Sequence, residues 1–120
     1  MLAPEKIEEL VDKIYRLFKK YDMWYDSRIY FNGKCLSSKD HMGNYHYDGT
    51  AYIHIDQDPR DYFEYVAENH ILSMSFEGPI YHMFNYNKRP AVLKKFNEIL
   101  QKYGVYYELG DAWNLTCFYV

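Results

Sequence analysis

The sequence predicts an α+β fold: a mostly antiparallel sheet of about five or six strands, with two long amphipathic helices on one face. Two observations support this prediction. Apolar residues recur at helical spacing near each end of the chain, and several segments between and after them alternate apolar and polar residues, as strands do. At 120 residues, the chain is expected to form a single domain, residues 1–120.

The first helix is predicted over residues 4–21, where one side of the helix would be apolar. The residues on that side are Ile7, Leu10, Val11, Ile14, Leu17, Phe18 and Tyr21. A second long helix is expected to begin at Pro90, because proline is tolerated in a first helical turn, and to end before Gly104. Its apolar side contains Val92, Leu93, Phe96, Ile99, Leu100 and Tyr103.

These two helical segments resemble each other. When the chain is shifted by 82 positions, residues 17–26 lie over residues 99–108. The similarity indicates either a helix-to-strand unit that occurs twice, or the ordinary likeness of two amphipathic helices that each lead into an aromatic strand.

Residues 24–31 are predicted to form the first strand. The dipeptide Asn32-Gly33 predicts a two-residue hairpin turn, because both residue types tolerate positive φ, and residues 34–37 would form the returning strand. Residues 38–49 are polar and rich in turn-forming residues, so a loop is expected there.

The next segments predict a strand, a turn and another strand. Residues 50–56 alternate as a half-buried strand does. Asp58 is expected to cap a turn or short helix that continues through Tyr62, Phe63 and Val66. Residues 72–77 alternate again and end at Gly78-Pro79.

The C-terminal third contains a short helix and a hairpin. Helical spacing over residues 79–86 favours a short helix, and residues 85–89 would then connect it to the helix led by Pro90. Residues 105–109 and 113–119 are expected to pair as a hairpin, with Trp113 packed in the core.

Charge and composition exclude several classes of protein. A formal charge of −3 gives no overall basic field, so wrapping of duplex nucleic acid is not expected. The two cysteines are far apart, which is typical of a reduced cytoplasmic protein. The N-terminus resembles neither an export signal nor a transit peptide, and no apolar run approaches the ~20 residues that span a bilayer. We therefore expect a cytoplasmic protein with no membrane association.

Fifteen tyrosines are the unusual feature of the composition. Tyrosine combines a flat apolar ring with a polar tip, which suits interfaces and ligand pockets. Plain packing in a small sheet protein would also explain the excess, since aromatic residues favour strands.

No catalytic or metal-binding motif is recognisable. The five histidines have no ligand spacing with acidic or cysteine partners. Nucleophile elbows and phosphate-binding glycine loops are also absent from the sequence. The sequence thus predicts a protein that is not an enzyme and needs neither a metal nor another cofactor.

The segment before Pro90 is a candidate anion site. Tyr86, Asn87, Lys88 and Arg89 place an aromatic ring, an amide and two cations beside the expected N-terminus of a helix. Arginine could grip a phosphate in a bidentate manner, and a tyrosine could stack on a base. The alternative is a solvated loop whose cations face water.

Three other residues are candidates for ligand binding: Arg28, Arg60 and Trp113. Arg28 is expected to share a strand face with Trp24 and Asp26, so pairing with Asp26 or stacking on a ring would explain it without a ligand. Arg60 follows Asp58-Pro59, where it would also neutralise a local charge.

Two stretches resemble a known family. "SMSFEGPIY…FNYN" and the ending "KYGVYYELGDAWNLTCFYV", together with the size, resemble small phage counter-defence proteins, nearest to the first type of Thoeris anti-defence protein. That family binds cyclic ADP-ribose signals and sequesters them without cleavage. The resemblance implies a homo-oligomer, such as a homodimer, with recessed pockets for a small nucleotide. The alternative function is that of a protein inhibitor, which would dock on a host defence enzyme through an acidic, tyrosine-rich surface.

Overall fold

The computed structural model describes residues 1–63, 66 and 69–120. The elements within them are α1 (Pro4–Lys20), β1 (Arg28–Phe31), β2 (Lys34–Ser37), β3 (Tyr52–His54), β4 (Leu72–Ser75), α2 (Gly78–Tyr86), α3 (Pro90–Lys102), β5 (Val105–Leu109) and β6 (Asn114–Tyr119). The strands form one antiparallel sheet in the order β3-β2-β1-β4-β6-β5. The predicted α+β class is confirmed.

Helix α1 buries the apolar side that the sequence predicts. Its first turn contains Glu5 and its last turn Lys19 and Lys20, which suits the charges of the helix dipole. The buried residues are Leu10, Val11, Ile14, Leu17 and Phe18. Each such side chain contributes ~1.5–3 kcal/mol when it leaves water, so burial of this side holds α1 to the sheet.

Helix α3 packs beside α1, where the rings of Phe18 and Phe96 lie 5.7 Å apart between centroids. The helix buries Val92, Phe96 and Leu100. Helix α2 belongs to the same layer, because Phe84 contacts Phe96 at 5.8 Å and Ile80 and Met83 are buried in the same core. No helix among the described residues is long and apolar enough to cross a membrane.

The core lies between this helical layer and one face of the sheet. Register places Ile29, Met74 and Leu115 side by side on three neighbouring strands, and all three are fully buried. The residues on either side of them along the strands point to the opposite face. That second face carries no helix from the α1–α3 layer and is the one on which the candidate site is built.

The two long helices are followed by similar turns, but the strands after them begin at different distances. Two residues after each long helix comes a residue with positive φ, Asp22 at 55° and Gly104 at 70°, and these two positions are equivalent in the 82-residue shift. Strand β5 begins directly after Gly104. Strand β1, however, begins only at Arg28.

The prediction that residues 24–27 belong to the first strand is therefore wrong. Asp26 has a φ of 49°, which no extended strand allows. Trp24 is buried in the helix-side core, where its ring meets the edge of Tyr15 at 5.2 Å. Arg28 consequently shares no strand face with Trp24 or Asp26.

The predicted turns agree with the structure. Asn32 and Gly33 have φ of 48° and 74°, so the hairpin between β1 and β2 is the two-residue turn that the dipeptide indicates. The Asp58 carboxylate accepts a hydrogen bond from the Arg60 N–H at 2.9 Å and caps the 3-10 helix Pro59–Asp61. The predicted continuation of that helix through Val66 includes residues 64 and 65, which lie outside the described residues, and the described Phe63 is not helical.

Strand β3 is shorter than the predicted residues 50–56 and forms an edge of the sheet. Ile53 and Ile55 are exposed, whereas Tyr52 and His54 are half-buried. Tyr52 and His54 point toward the second face of the sheet, since His54 pairs with Cys35 and Tyr52 with Ser37. His54, and neither isoleucine, thus lines the candidate site.

Candidate functional site

Arg28 lies at the centre of the second face of the sheet. Strand register places it between Ser37 on β2 and Ser75 on β4. Tyr30, the next residue of β1 on the same face, lies between Cys35 and Ser73. Because the neighbours of Arg28 are small, its long side chain has room to lie over the sheet, where it stays half-buried.

The loop of residues 38–49 forms one wall beside Arg28. Asp40 organises this loop: its carboxylate accepts hydrogen bonds from the N–H groups of Met42 and Asn44, both at 2.9 Å, and from His46 Nε2 at 2.8 Å. The bond from His46 and those from the backbone hold the pKa of Asp40 down at about 2. The carboxylate therefore stays ionised at neutral pH and keeps the turn closed.

Two histidines fasten this loop to β3. His41 Nε2 lies 2.7 Å from the Ile53 carbonyl, and His54 Nε2 lies 2.7 Å from the Lys39 carbonyl. Since a carbonyl oxygen only accepts hydrogen bonds, both Nε2 atoms donate. Two hydrogen bonds thus join the loop to the edge strand, and the joined segments support the side chains of Lys39 and Tyr45.

A larger cleft, here called the Trp113 cleft, opens on one side of Arg28 with a volume of about 490 Å³. It is lined by Asp26, Arg28, Tyr45, Tyr47, Ser75, Phe76, Glu77 and Trp113. Three of these, Tyr45, Tyr47 and Trp113, are exposed aromatic residues. Together the lining residues offer flat rings, one guanidinium and two carboxylates to a ligand.

Arg28 has a hydroxyl as its partner in this cleft. Its Nη2 donates to the hydroxyl of Tyr45 at 3.1 Å. None of the ion pairs found among the described residues includes Arg28. Asp26, the expected partner, instead accepts a hydrogen bond from the Tyr47 hydroxyl at 3.3 Å. The expected Arg28–Asp26 pair is absent from the described structure, and the guanidinium keeps donors available for a ligand.

Trp113 is exposed, so the prediction that it packs in the core is wrong. Its exposed fraction is 41%. The side-chain oxygen of Asn114 accepts the Asp111 N–H at 3.2 Å and closes the turn, and β6 begins only at Asn114. Trp113 therefore lies outside the alternation of the strand, where its ring contacts Phe63 at 5.7 Å.

A smaller cleft, here called the Lys39 cleft, lies on the other side of Arg28 with a volume of about 210 Å³. It is lined by Arg28, Tyr30, Cys35, Ser37, Lys39, His54, Gln57 and Tyr62. Burial raises the pKa of Tyr30 to about 12 and that of Cys35 to about 11. Both groups are therefore neutral at pH 7.

The other predicted site residues lie elsewhere. Arg60 is exposed, with its Nε 3.9 Å from Asp58, and lines neither cleft. Tyr86 is the last residue of α2, and Asn87, Lys88 and Arg89 connect it to α3 in the helical layer. Arg89 Nη2 donates to the Tyr21 carbonyl at 2.8 Å. The structure brings Arg28 and Trp113 together, and a binding role for residues 86–89 stays a prediction.

Sequence reasoning missed Lys39, Tyr45, Tyr47 and His54. The run "SKDHMGNYHYDG" does concentrate tyrosine and histidine in a polar loop, which was a usable signal. Within residues 1–63, 66 and 69–120, no cluster of histidine, cysteine or acidic residues is arranged to hold a metal ion. Both cysteines are free and buried.

No protein-family model, curated protein or solved structure was found to match this chain. The functional argument therefore depends on the geometry of the two clefts and on the chemistry of the residues that line them.

Proposed function

We propose that the protein binds a small phosphorylated nucleotide in the Trp113 cleft and sequesters it without cleaving it. The observation that carries this proposal is the position of Arg28: a half-buried guanidinium, bonded to a tyrosine hydroxyl and bordered by exposed aromatic rings. The resemblance to the first type of Thoeris anti-defence protein suggests the ligand class, a cyclic nucleotide immune signal of the cyclic ADP-ribose type. In that setting the protein would act in the cytoplasm of a phage-infected cell.

The lining residues suit the separate parts of a nucleotide. Base stacking on an aromatic side chain contributes about 1–3 kcal/mol, and Trp113 and Tyr47 offer exposed rings for it. A guanidinium binds phosphate oxygens in a bidentate manner. The carboxylates of Asp26 and Glu77 can accept hydrogen bonds from ribose hydroxyls. A nucleotide would thus find partners for its base, sugar and phosphate in one cleft.

Sequestration without turnover is favoured by the state of the thiols. Cys35 is the thiol nearest to Arg28, and its raised pKa keeps it protonated and therefore poorly nucleophilic at neutral pH. Burial also raises the pKa of Cys117, which lies in the helix-side core. Neither thiol is in a state that suits covalent catalysis.

A protein partner remains the alternative occupant. Docking on a host enzyme through an acidic surface would call for a broad negative face, whereas Arg28 and Lys39 make the Lys39 cleft cationic and Arg28 places a cation beside the carboxylates of the Trp113 cleft. The small-ligand proposal explains why these cations are placed in concave sites.

Titration calorimetry with cyclic ADP-ribose isomers and cyclic dinucleotides tests the proposal. The parent protein is compared with Arg28→Ala, Arg28→Lys and Arg89→Ala. A charge-assisted hydrogen bond contributes about 1.5–3 kcal/mol, so Arg28→Ala should weaken binding roughly ten- to a hundredfold. Arg28→Lys should recover part of that loss, because the charge is kept but the bidentate geometry is not.

Arg89→Ala separates the two candidate sites. If Arg89→Ala weakens binding ten- to a hundredfold and Arg28→Ala has no effect, the ligand lies at residues 86–89 and the cleft assignment fails. If the parent binds none of these compounds, the proposed function fails. Mass spectrometry of the ligand released by heating checks for cleavage, and more than one equivalent of product per chain would show an enzyme.

A further inference from the structure

Hydrogen bonds of its backbone hold Lys39 in place just after the end of β2. Its N–H donates to the Ser37 hydroxyl at 3.0 Å, and its carbonyl accepts from His54 Nε2 at 2.7 Å. The residue also forms an isolated bridge with Tyr45. The backbone that carries the side chain is thus positioned before a ligand binds, so binding does not have to order it.

Two cations meet at the ring of Tyr45. Lys39 Nζ lies 5.8 Å from the ring centroid, and Arg28 Nη2 donates to the hydroxyl of the same ring. Like charges that share one side chain repel each other, and the repulsion is greater where water is partly excluded. An anion between or beside them would remove this cost.

The Lys39 cleft contains no negative charge among its described lining residues. Apart from the two cations, it is lined by hydroxyl, imidazole, amide and thiol groups. Tyr30 and Cys35, the two lining groups that would become anions, are neutral at pH 7 because their pKa values are about 12 and about 11. The Trp113 cleft differs in having Asp26 and Glu77 in its lining. The two clefts therefore suit different parts of a ligand.

We infer that the Lys39 cleft is a subsite for a phosphate or diphosphate group, with Arg28 shared between the two clefts. Lys39 is then a specificity-determining residue that makes the protein prefer ligands with more phosphate. This inference rests on the proposed function, in which the base of the same nucleotide lies in the Trp113 cleft.

The closing experiment measures the affinities of adenosine, AMP, ADP and inorganic pyrophosphate by calorimetry. The variant Lys39→Met keeps the aliphatic stem and removes the charge, and Lys95→Met, an exposed lysine of α3, is the matched control. In the parent, ADP should bind more tightly than AMP, and AMP more tightly than adenosine. Lys39→Met should reduce the affinity for ADP and pyrophosphate about tenfold and leave adenosine unchanged.

The outcomes separate this inference from the proposed function. If the ratio of the affinity for ADP to that for adenosine is the same in Lys39→Met as in the parent, the subsite is overturned and nucleotide binding stands. If pyrophosphate binds through Lys39 but no nucleoside and no linear or cyclic nucleotide does, the subsite stands and the proposed function falls. If neither these four compounds nor the cyclic nucleotides bind, both are overturned.

Discussion

Arg28 and Tyr45 join the middle of the sheet to the loop of residues 38–49 by one hydrogen bond of 3.1 Å. The bond lies on the boundary between the two clefts, because Arg28 lines both and Tyr45 lines the larger one. It fixes the guanidinium over the small residues of the sheet and fixes the tyrosine ring as a wall of the Trp113 cleft.

Tyr45→Phe is predicted to weaken nucleotide binding about two- to tenfold. The substitution removes only the Tyr45 hydroxyl and leaves the interaction of Arg28 with Tyr30. Its effect on the ligand is therefore indirect and should stay near the ~0.5–1.5 kcal/mol of an ordinary hydrogen bond. The ring remains for stacking, so the loss should be smaller than that of Arg28→Ala. Calorimetry measures the effect, with Tyr106→Phe on β5 as a control outside both clefts. Equal affinity of Tyr45→Phe and the parent would contradict a role for this bond.

Trp113→Ala is predicted to weaken nucleotide binding about five- to a hundredfold, because a stacked base is worth about 1–3 kcal/mol. Some loss of stability is also expected, since the ring is only 41% exposed and contacts Phe63. Tyr106→Ala is the matched control, because Tyr106 is 42% exposed and lies outside the Trp113 cleft. Calorimetric titration compares the ligand affinities of the two variants, and thermal unfolding compares their stabilities. Equal losses in the two variants would show that the effect is general and not due to stacking at Trp113.

The free energy of unfolding is predicted to fall as the pH rises above about 9. Burial raises the pKa of Cys35 from 9.0 to about 11, so between these values the folded chain keeps a proton that the unfolded chain has lost. The contribution of the Cys35 thiol to the free energy of unfolding is complete below pH 9 and decreases as the pH approaches 11. Urea unfolding at about pH 8 and about pH 10.5 measures the change.

Cys35→Ala is the test variant for this pH dependence. It should show a smaller loss of stability between the two pH values than the parent, whatever its stability at pH 8. The remaining loss is expected to include Tyr30, whose pKa burial raises from 10.0 to about 12. An equal loss in variant and parent would rule out Cys35 as a cause.

The protein is predicted to form a homodimer at micromolar concentration. Exposed apolar side chains on the edge strand β5 include Tyr106 and Leu109. A two-fold interface is a common way to bury such side chains. Light scattering should give twice the chain mass of 14.6 kDa. A mass of 14.6 kDa at that concentration would contradict the prediction.

Most elements of this fold follow from local patterns in the sequence. Helices α1 and α3 are found from their apolar spacing and from Pro4, Pro90 and Gly104 at their ends. The β1–β2 hairpin follows from Asn32-Gly33, whose φ angles are positive as the dipeptide requires. These signals are local because they reflect the backbone preferences of a few adjacent residues.

The failures occurred where one residue interrupts a pattern. The alternation of residues 24–31 favoured a strand, but the positive φ of Asp26 ends it, and Trp24 lies in the helix-side core. Trp113 continued the alternation of β6 in the sequence, but the side chain of Asn114 closes the preceding turn and leaves the ring outside the sheet. A period-two pattern does not reveal which residue leaves the strand.

The sequence by itself determined the α+β class, the long helices, the tight turn and the abundance of aromatic side chains. Tertiary structure decided which of those side chains meet. Arg28, Ser75 and Asn114 are neighbours because β1 pairs with β4 and β4 with β6, and Tyr45 reaches Arg28 from a loop that contacts such as those of His41 and His54 with β3 hold in place. Such contacts join residues that are distant in the chain, so they depend on strand order and register, which local residue preferences do not specify.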